Sequence, residues 1–320
     1  MKIIPDLVIE LKKHSISHIL NEQQHYHEWR RWSVFDVLTQ YGDTEFDSND
    51  KAALWHAARA EITTQPAGIR LAVDGVKEAN KIKDSNPIGS KVLHIAAAWS
   101  ARYWLEEEAH HEVAYGVLLE KAGLPPIGHD EVVEHRGFFP SDNYARVCML
   151  QACVEIEATT TYGEVSKKSN NPLVRDIFKR IMKDEVQHRT YFVSFAKALI
   201  DAEVYPRKDI FSMAYMWIRP DGGETHGSKR VEQTKREGFV NWWEHVETDS
   251  DVALKDDQIR SRFLQDQKER SILAAASNAT GVQVDSIDDL KKAYFKSITT
   301  NDIDRIRFAV HKRAEELKAA

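Results

Sequence analysis

Glu107-Glu108-Ala109-His110-His111 and Asp184-Glu185-Val186-Gln187-His188 both read acidic-Glu-x-x-His. On an α-helix, residues three apart share one face, so each segment aims a carboxylate and an imidazole at one point. Two such pairs, joined by one Glu from each of two further helices, form the ligand set of a carboxylate di-iron or di-manganese site inside a four-helix bundle. A lone Glu-x-x-His says little, because Glu and His at that spacing are common on helix surfaces. Here both copies sit in apolar sequence. Ala96-Ala97-Ala98-Trp99 and Trp104-Leu105 precede the first, and Ile177-Phe178 and Ile181-Met182 precede the second. Charges on a core face are costly unless paired or bound to metal.

Working outward from these segments, Ala, Leu, Glu, Lys and Arg recur at helical periods and strand-like alternation is rare. Ser48-Asn49-Asp50 is an N-cap cluster that opens a helix running to about Lys83, kinked at Pro66 and Gly68. Asp84-Ser85-Asn86-Pro87-Ile88-Gly89 is a turn, and a second helix runs from about Ser90 to Lys121. Gly123-Leu124-Pro125-Pro126-Ile127-Gly128 stops it, and a connection over 123–142 ends at Pro140-Ser141-Asp142. A third helix covers Asn143 to Lys168. Ser169-Asn170-Asn171-Pro172 turns into a fourth, from Leu173 to about Glu203.

Hairpin, long crossover, hairpin is the connectivity of ferritin-like bundles. The expected fold is all-α: a ferritin-like four-helix bundle over residues 51–204 with one long crossover. Residues 1–50 form an N-terminal cover of short helices, rich in His and aromatics (His25, Tyr26, His27, Trp29, Trp32, Phe35). Residues 205–320 supply accessory C-terminal helices, at about 228–247, 255–279 and 286–318. A break falls at Trp217-Ile218-Arg219-Pro220-Asp221-Gly222-Gly223, and Gly281 separates the last two helices. The whole reads as a single domain.

Turn geometry selects the remaining ligands. Residues equidistant from a hairpin turn face each other. Glu155 and Glu185 each lie 15 residues from Asn170, roughly 22 Å along their helices. Glu157, about 3 Å lower, is the alternative on that helix. In the first hairpin, Glu61 lies 23 residues before Asp84 and Glu108 lies 23 after Ser85. Glu78 would pair with Glu108 around Leu93, inside a helix, and is rejected. Matching the two patterns puts Glu108 and His111, not Glu107 and His110, on the metals. Glu107 and Asp184 then stand where a carboxylate holds a ligating His by its second nitrogen. The candidate ligands are Glu61, Glu108, His111, Glu155, Glu185 and His188, with the metals bridged by Glu155 or its neighbours.

Such mixed donors suit iron or manganese. Cys148 and Cys153, five apart on one helix, read as two buried thiols and exclude a four-Cys iron–sulfur centre on this chain. No Gly-x-Gly-x-x-Gly fingerprint follows a strand, so electrons come from an external donor. Thr159, one turn after Glu155, places a hydroxyl on the ligand face, either for proton or oxygen handling or bonded to its own backbone. Tyr162 reads as a packed core tyrosine or as a redox or pocket residue; no Tyr stands out as a radical carrier. His56 and His94 read as core or cavity residues. Lys229 to Arg236 reads as a solvated mixed-charge face and Trp242-Trp243 as accessory-helix core. A net charge of −6 gives no basic excess for nucleic acid. No apolar run reaches the ~20 residues of a membrane span, and Met1 to Asp6 lacks a signal-peptide core. The expectation is a cytoplasmic protein.

Residues 99–120, with Trp104-x-x-Glu107-Glu108-x-x-His111, resemble the Trp-x-x-Glu-Glu-x-x-His helix of soluble acyl-acyl carrier protein desaturases. Residues 151–192 resemble that family's second half, in which a Glu-x-x-Thr-type helix precedes Asp-Glu-x-x-His. Glu61 with Pro66 is similar to its Glu-Glu-x-x-Pro segment. The likeness spans roughly 55–200, and residues 205–320 carry none of its motifs. It implies the same ligands, two Fe ions, dioxygen, reduced ferredoxin as electron-transfer partner, an acyl chain held on acyl carrier protein as substrate, and a homodimer. Related ferritin-like enzymes hydroxylate or N-oxygenate small metabolites, and a non-catalytic metal-binding helical protein is the third alternative.

Overall fold

In the computed structural model, described over residues 6–61, 64–127, 143–218, 262–304 and 307, every regular element among the described residues is a helix. The order is α1 (Leu7–Lys13), α2 (Ile16–Arg30), α3 (Val34–Leu38), α4 (Ser48–Glu61), α5 (Thr64–Ile82) and α6 (Pro87–Trp99). A π-helical turn, Ser100–Trp104, joins α6 to α7 (Leu105–Lys121). Then follow α8 (Tyr144–Lys168), α9 (Pro172–Asp201), α10 (Arg207–Ile218), α11 (Arg262–Thr280) and α12 (Ile287–Ser297).

The α8–α9 hairpin is built as its sequence dictates. Asn143 caps α8, accepting from the Arg146 amide at 3.0 Å. Asn171 caps α9, accepting from Leu173 N at 3.0 Å and Val174 N at 3.2 Å, with Pro172 opening the helix where its missing N–H breaks no bond. Along α9 the buried positions Ile177, Ile181, Glu185, His188, Phe192 and Phe195 recur at three- and four-residue intervals. Glu185 and His188 therefore occupy the stripe that helical periodicity turns inward.

Of the two rods expected as one continuous helix each, the first is helical over Ser48–Glu61 and Thr64–Ile82, with residues 62–63 outside the described residues. In the second rod the π turn inserts a residue into the helical ladder, a device that shifts the register of everything after it. The backbone of Gly68 approaches this turn closely. Ser100 Oγ donates to Gly68 O at 3.2 Å, and a Cβ at position 68 would collide with the Leu105 side chain. Gly123, at φ +68°, terminates α7 in the left-handed conformation that favours glycine.

Helix α4 packs on α7, α5 on α6 and the π turn, and α8 on α9 along their length. Two apolar clusters fill the interior. One holds Trp99, Trp104, Met149, Ile156, Phe192 and Phe195, and the other Tyr115, Leu118, Tyr162, Phe178 and Ile181. On α7 and α9 the acidic-Glu-x-x-His segments fall in sequence between the residues of the two. The N-terminal helices cover the bundle: α1 against α6 and α9, α2 against α6, α3 against α7 and α9. α10 and α11 pack on α8, and α12 on α10.

Several expectations are corrected. His56 is exposed, because it falls on the outer face of α4, and His94 is half-buried. Trp217 and Ile218 still belong to α10, so no break occurs before residue 219. The crossover from residue 128 to 142, the helix at 228–247 with Trp242-Trp243, the charged stretch Lys229 to Arg236, and the parts of the last two helices before 262 and after 307 lie outside the described residues. Cys148 and Cys153 are buried free thiols, and burial pushes both up. No helix among the described residues is long and apolar enough to cross a membrane.

Candidate metal centre

Six side chains from four rods meet in the bundle interior: Glu61 from α4, Glu108 and His111 from α7, Glu155 from α8, Glu185 and His188 from α9. All six are buried, each 4% exposed or less. They form two overlapping groups, Glu61–Glu108–His111–Glu185 and Glu108–Glu155–Glu185–His188. Within each group one donor atom per residue lies within 4.8 Å of the others.

The carboxylates common to both groups are Glu108 and Glu185. The two oxygens of Glu108 divide between the imidazoles: Oε2 stands 3.8 Å from His111 Nδ1 and Oε1 3.0 Å from His188 Nδ1. Glu185 does the same, with Oε1 at 3.4 Å from His111 Nδ1 and Oε2 at 2.8 Å from His188 Nδ1. Glu108 and Glu185, rather than Glu155, are thus the carboxylates that stand beside both imidazoles. Glu155 lies at one end, in the group that holds His188. Glu61 lies at the other, its Oε2 at 3.7 Å from His111 Nδ1. Glu157 is only partly buried and belongs to neither group, and Glu78 sits in a surface pair with Lys81 at 3.6 Å.

Each imidazole turns Nδ1 inward and is held from behind by the acidic neighbour of the opposite motif. His188 Nε2 lies 2.7 Å from Glu107 Oε2, and His111 Nε2 lies 3.3 Å from Asp184 Oδ2. A carboxylate behind a ligating His fixes its orientation and strengthens its donor nitrogen. The crossing also ties α7 to α9 twice.

A further shell comes from the N-terminal cover. Arg30 Nη2 donates to Asp184 Oδ1 at 2.7 Å and to Glu107 Oε2 at 3.1 Å. Trp32 Nε1 donates to Asp184 Oδ2 at 2.7 Å, and His27 Nδ1 lies 2.7 Å from Glu107 Oε1. In the sequence, Trp32 and His27 stand out only as part of an aromatic- and His-rich stretch, and nothing there distinguishes Arg30. No local spacing links α2 to residues about 80 or 150 positions away. Tyr162 is likewise more than packing, for its hydroxyl donates to Glu61 Oε1 at 2.7 Å. At Thr159 the backbone-bonded alternative fails. Thr160 Oγ1 is the one that donates to Ile156 O, at 2.7 Å, while Thr159 Oγ1 is buried without a hydrogen-bond partner.

The electrostatics are those of a site that holds protons where it lacks cations. Burial, reinforced by the charge of Glu108, pushes Glu61 up to about 8. Burial and the charges of Glu185 and Glu108 push Glu155 well above the carboxylate range. Burial works against a charged His111 and His188, but the carboxylates around them win and raise both. Those same two imidazoles overcome burial at Glu108 and hold it low.

The donor set fits a metal pair. His111 Nδ1 and Glu108 Oε1 are buried and make no hydrogen bond of ordinary geometry, although both face the cluster. Donors about 2.0–2.2 Å from one cation stand roughly 3 Å apart, close to the 2.8–3.8 Å separations here. Compared with known proteins, the chain matches no family model, no curated protein and no solved structure.

Proposed function

We propose that the chain is an oxygen-dependent non-haem di-iron oxidoreductase. In this reading it is a ferritin-like bundle with a single crossover, and it acts as a desaturase on an acyl chain held by a carrier protein. The observation that carries the reading is the division of Glu108 and Glu185 between two imidazoles. Glu108 and Glu185 would be shared between two cations, with Glu61 and His111 holding one and Glu155 and His188 the other. Oxygen and imidazole donors favour iron, and manganese is the other metal of that class.

When bound, the metal pair supplies redox chemistry with dioxygen, using electrons from an external donor such as ferredoxin. The chain's own part is positional. Glu107 and Asp184 hold the imidazoles, and Arg30 balances those two carboxylates. Trp99, Trp104, Tyr191 and Phe192 wall one side against water, with Trp99 edge-on to His188 at 6.2 Å. Thr159 Oγ1, one turn beyond Glu155, has its hydrogen-bonding capacity free to hold a proton at the ligand face.

A second reading, an oxygenase acting on a small metabolite, draws on a cleft of about 410 Å³ lined by Arg31, Trp32, Ser33, Asp36, Val37, Gln40 and Arg180, which Trp32 connects to Asp184. Anaerobic loading with ferrous iron followed by metal analysis tests the shared premise, with two irons per chain expected. Addition of oxygen, a reductant and either acyl carrier substrates or small amines and acids then separates the readings by mass spectrometry. An acyl product lighter by two hydrogens marks the desaturase, and a small amine or acid heavier by an oxygen marks the oxygenase. A wild-type chain that retains no more iron than Glu108→Ala overturns both.

A further inference from the structure

Two phenols lie against the Glu61 end of the cluster. Tyr162 is 3% exposed and Tyr115 fully buried. Their rings are 6.0 Å apart, and Phe178 stands edge-on to both at 5.5 and 5.3 Å. Only Tyr162 is joined to the cluster by a hydrogen bond, from its hydroxyl to Glu61 Oε1 at 2.7 Å. The other oxygen of Glu61 is the one facing His111 Nδ1, so a single carboxylate would offer one atom to a cation and the other to a phenol. The Tyr115 hydroxyl is buried and makes no hydrogen bond of ordinary geometry.

Oxidising a phenol away from water requires that its proton leave with the electron, because neither a phenoxide nor a protonated radical is tolerated in an apolar pocket. An acceptor must therefore sit at hydrogen-bond distance beforehand, and an oxidant must lie close by. Tyr162 has both conditions met through one residue.

The geometry points to Tyr162 as a redox-active side chain that donates one electron to the oxygen-oxidised metal pair and its phenolic proton to Glu61 Oε1. The O–H bond of Tyr162 breaks and an O–H bond forms on Glu61. One metal is reduced by one electron, and a neutral phenoxyl radical remains, walled by Phe178 and Tyr115. The inference rests on the di-metal reading above.

The test is freeze-quench EPR of the full chain, loaded anaerobically with ferrous iron and mixed with oxygen, with bound iron measured on the same samples. A tyrosyl signal is expected whose splitting changes when the tyrosines are ring-deuterated. It should vanish in Tyr162→Phe and persist in Tyr115→Phe. Site-specific fluorotyrosine at position 162 keeps the hydroxyl and should add fluorine splitting, which covers the case in which Tyr162→Phe folds poorly. Full iron occupancy and oxidation without a tyrosyl signal overturn the role of Tyr162 and leave the metal reading standing. A signal that survives in Tyr162→Phe, or that lacks fluorine splitting, does the same. A chain that binds no iron overturns the metal reading and this proposal together.

Discussion

Glu108 and Glu185 each set one oxygen beside each imidazole, whereas Glu61 and Glu155 serve one half apiece. Losing a shared carboxylate removes a donor from both positions, and losing a terminal one removes it from one. Glu108→Ala and Glu185→Ala should therefore abolish binding of both metals, while Glu61→Ala should leave roughly one per chain, read by metal analysis after gel filtration. Equal stoichiometry in all three would contradict the shared geometry. At this scale the sequence is informative only where chemistry repeats locally. Glu108, His111, Glu185 and His188 are visible because three-residue spacing is a property of one helix. Glu61 and Glu155 come from counting outward from turns. Which carboxylates are shared depends on how far α8 stands from α7, and no spacing within one helix encodes that. Arg30, Trp32 and Tyr162 reach the site across helices and leave no periodic trace.

Among the elements, α2 and the residues after it close the outer shell. Arg30 lies between Glu107 and Asp184, with all three side chains 9–13% exposed. Removing the cation leaves two buried anions facing each other, a change that costs about 3–5 kcal/mol in comparable buried pairs. Arg30→Ala should lose stability of that order in urea unfolding. Trp32→Phe, which deletes one hydrogen bond to Asp184, should lose about 1–3 kcal/mol. A loss for Arg30→Ala no greater than for an exposed arginine would show that the cover is not bound to the site. The π turn makes a sharper case. Each helical residue rotates the following face by about 100°, so Glu108 and His111 face inward only with the extra residue in place. Deleting Ala101, whose side chain is exposed, should leave helix content nearly unchanged by circular dichroism while eliminating metal uptake. Periodicity could not disclose this turn, because the apolar residues of Ser100–Trp104 look the same in either helix type. The α8–α9 hairpin, with no such insertion, is legible almost to the residue.

At the scale of the whole molecule, the centre is a store of protons that folding raises in affinity. Glu61 keeps its proton up to about pH 8 in the folded metal-free chain, through burial first and the Glu108 charge second, whereas the unfolded chain releases it near 4.5. Across that window the native state binds more protons, so stability falls as pH rises. The raised His111 and His188 act with the same sign. Their contribution is complete below about 6.5 and is lost as pH climbs through the folded values. Glu107, Glu108 and Asp184 are held low instead, so what they contribute is present above the ordinary carboxylate range and disappears only in acid. The metal-free protein should thus be most stable in mildly acidic solution and melt progressively earlier toward pH 8. Metal binding requires the same groups to give up their protons, so affinity climbs where metal-free stability declines. By mass action a cation that binds only the folded chain raises the melting temperature by an amount that grows with its affinity. Scanning calorimetry between about pH 5 and about pH 8, with and without ferrous iron under anaerobic conditions, should give two curves that diverge as pH rises. A metal-free melting temperature that rises with pH over this range would mean that Glu61, Glu155, His111 and His188 do not hold their protons in the buried cluster, and the exchange of protons for metal would have no basis.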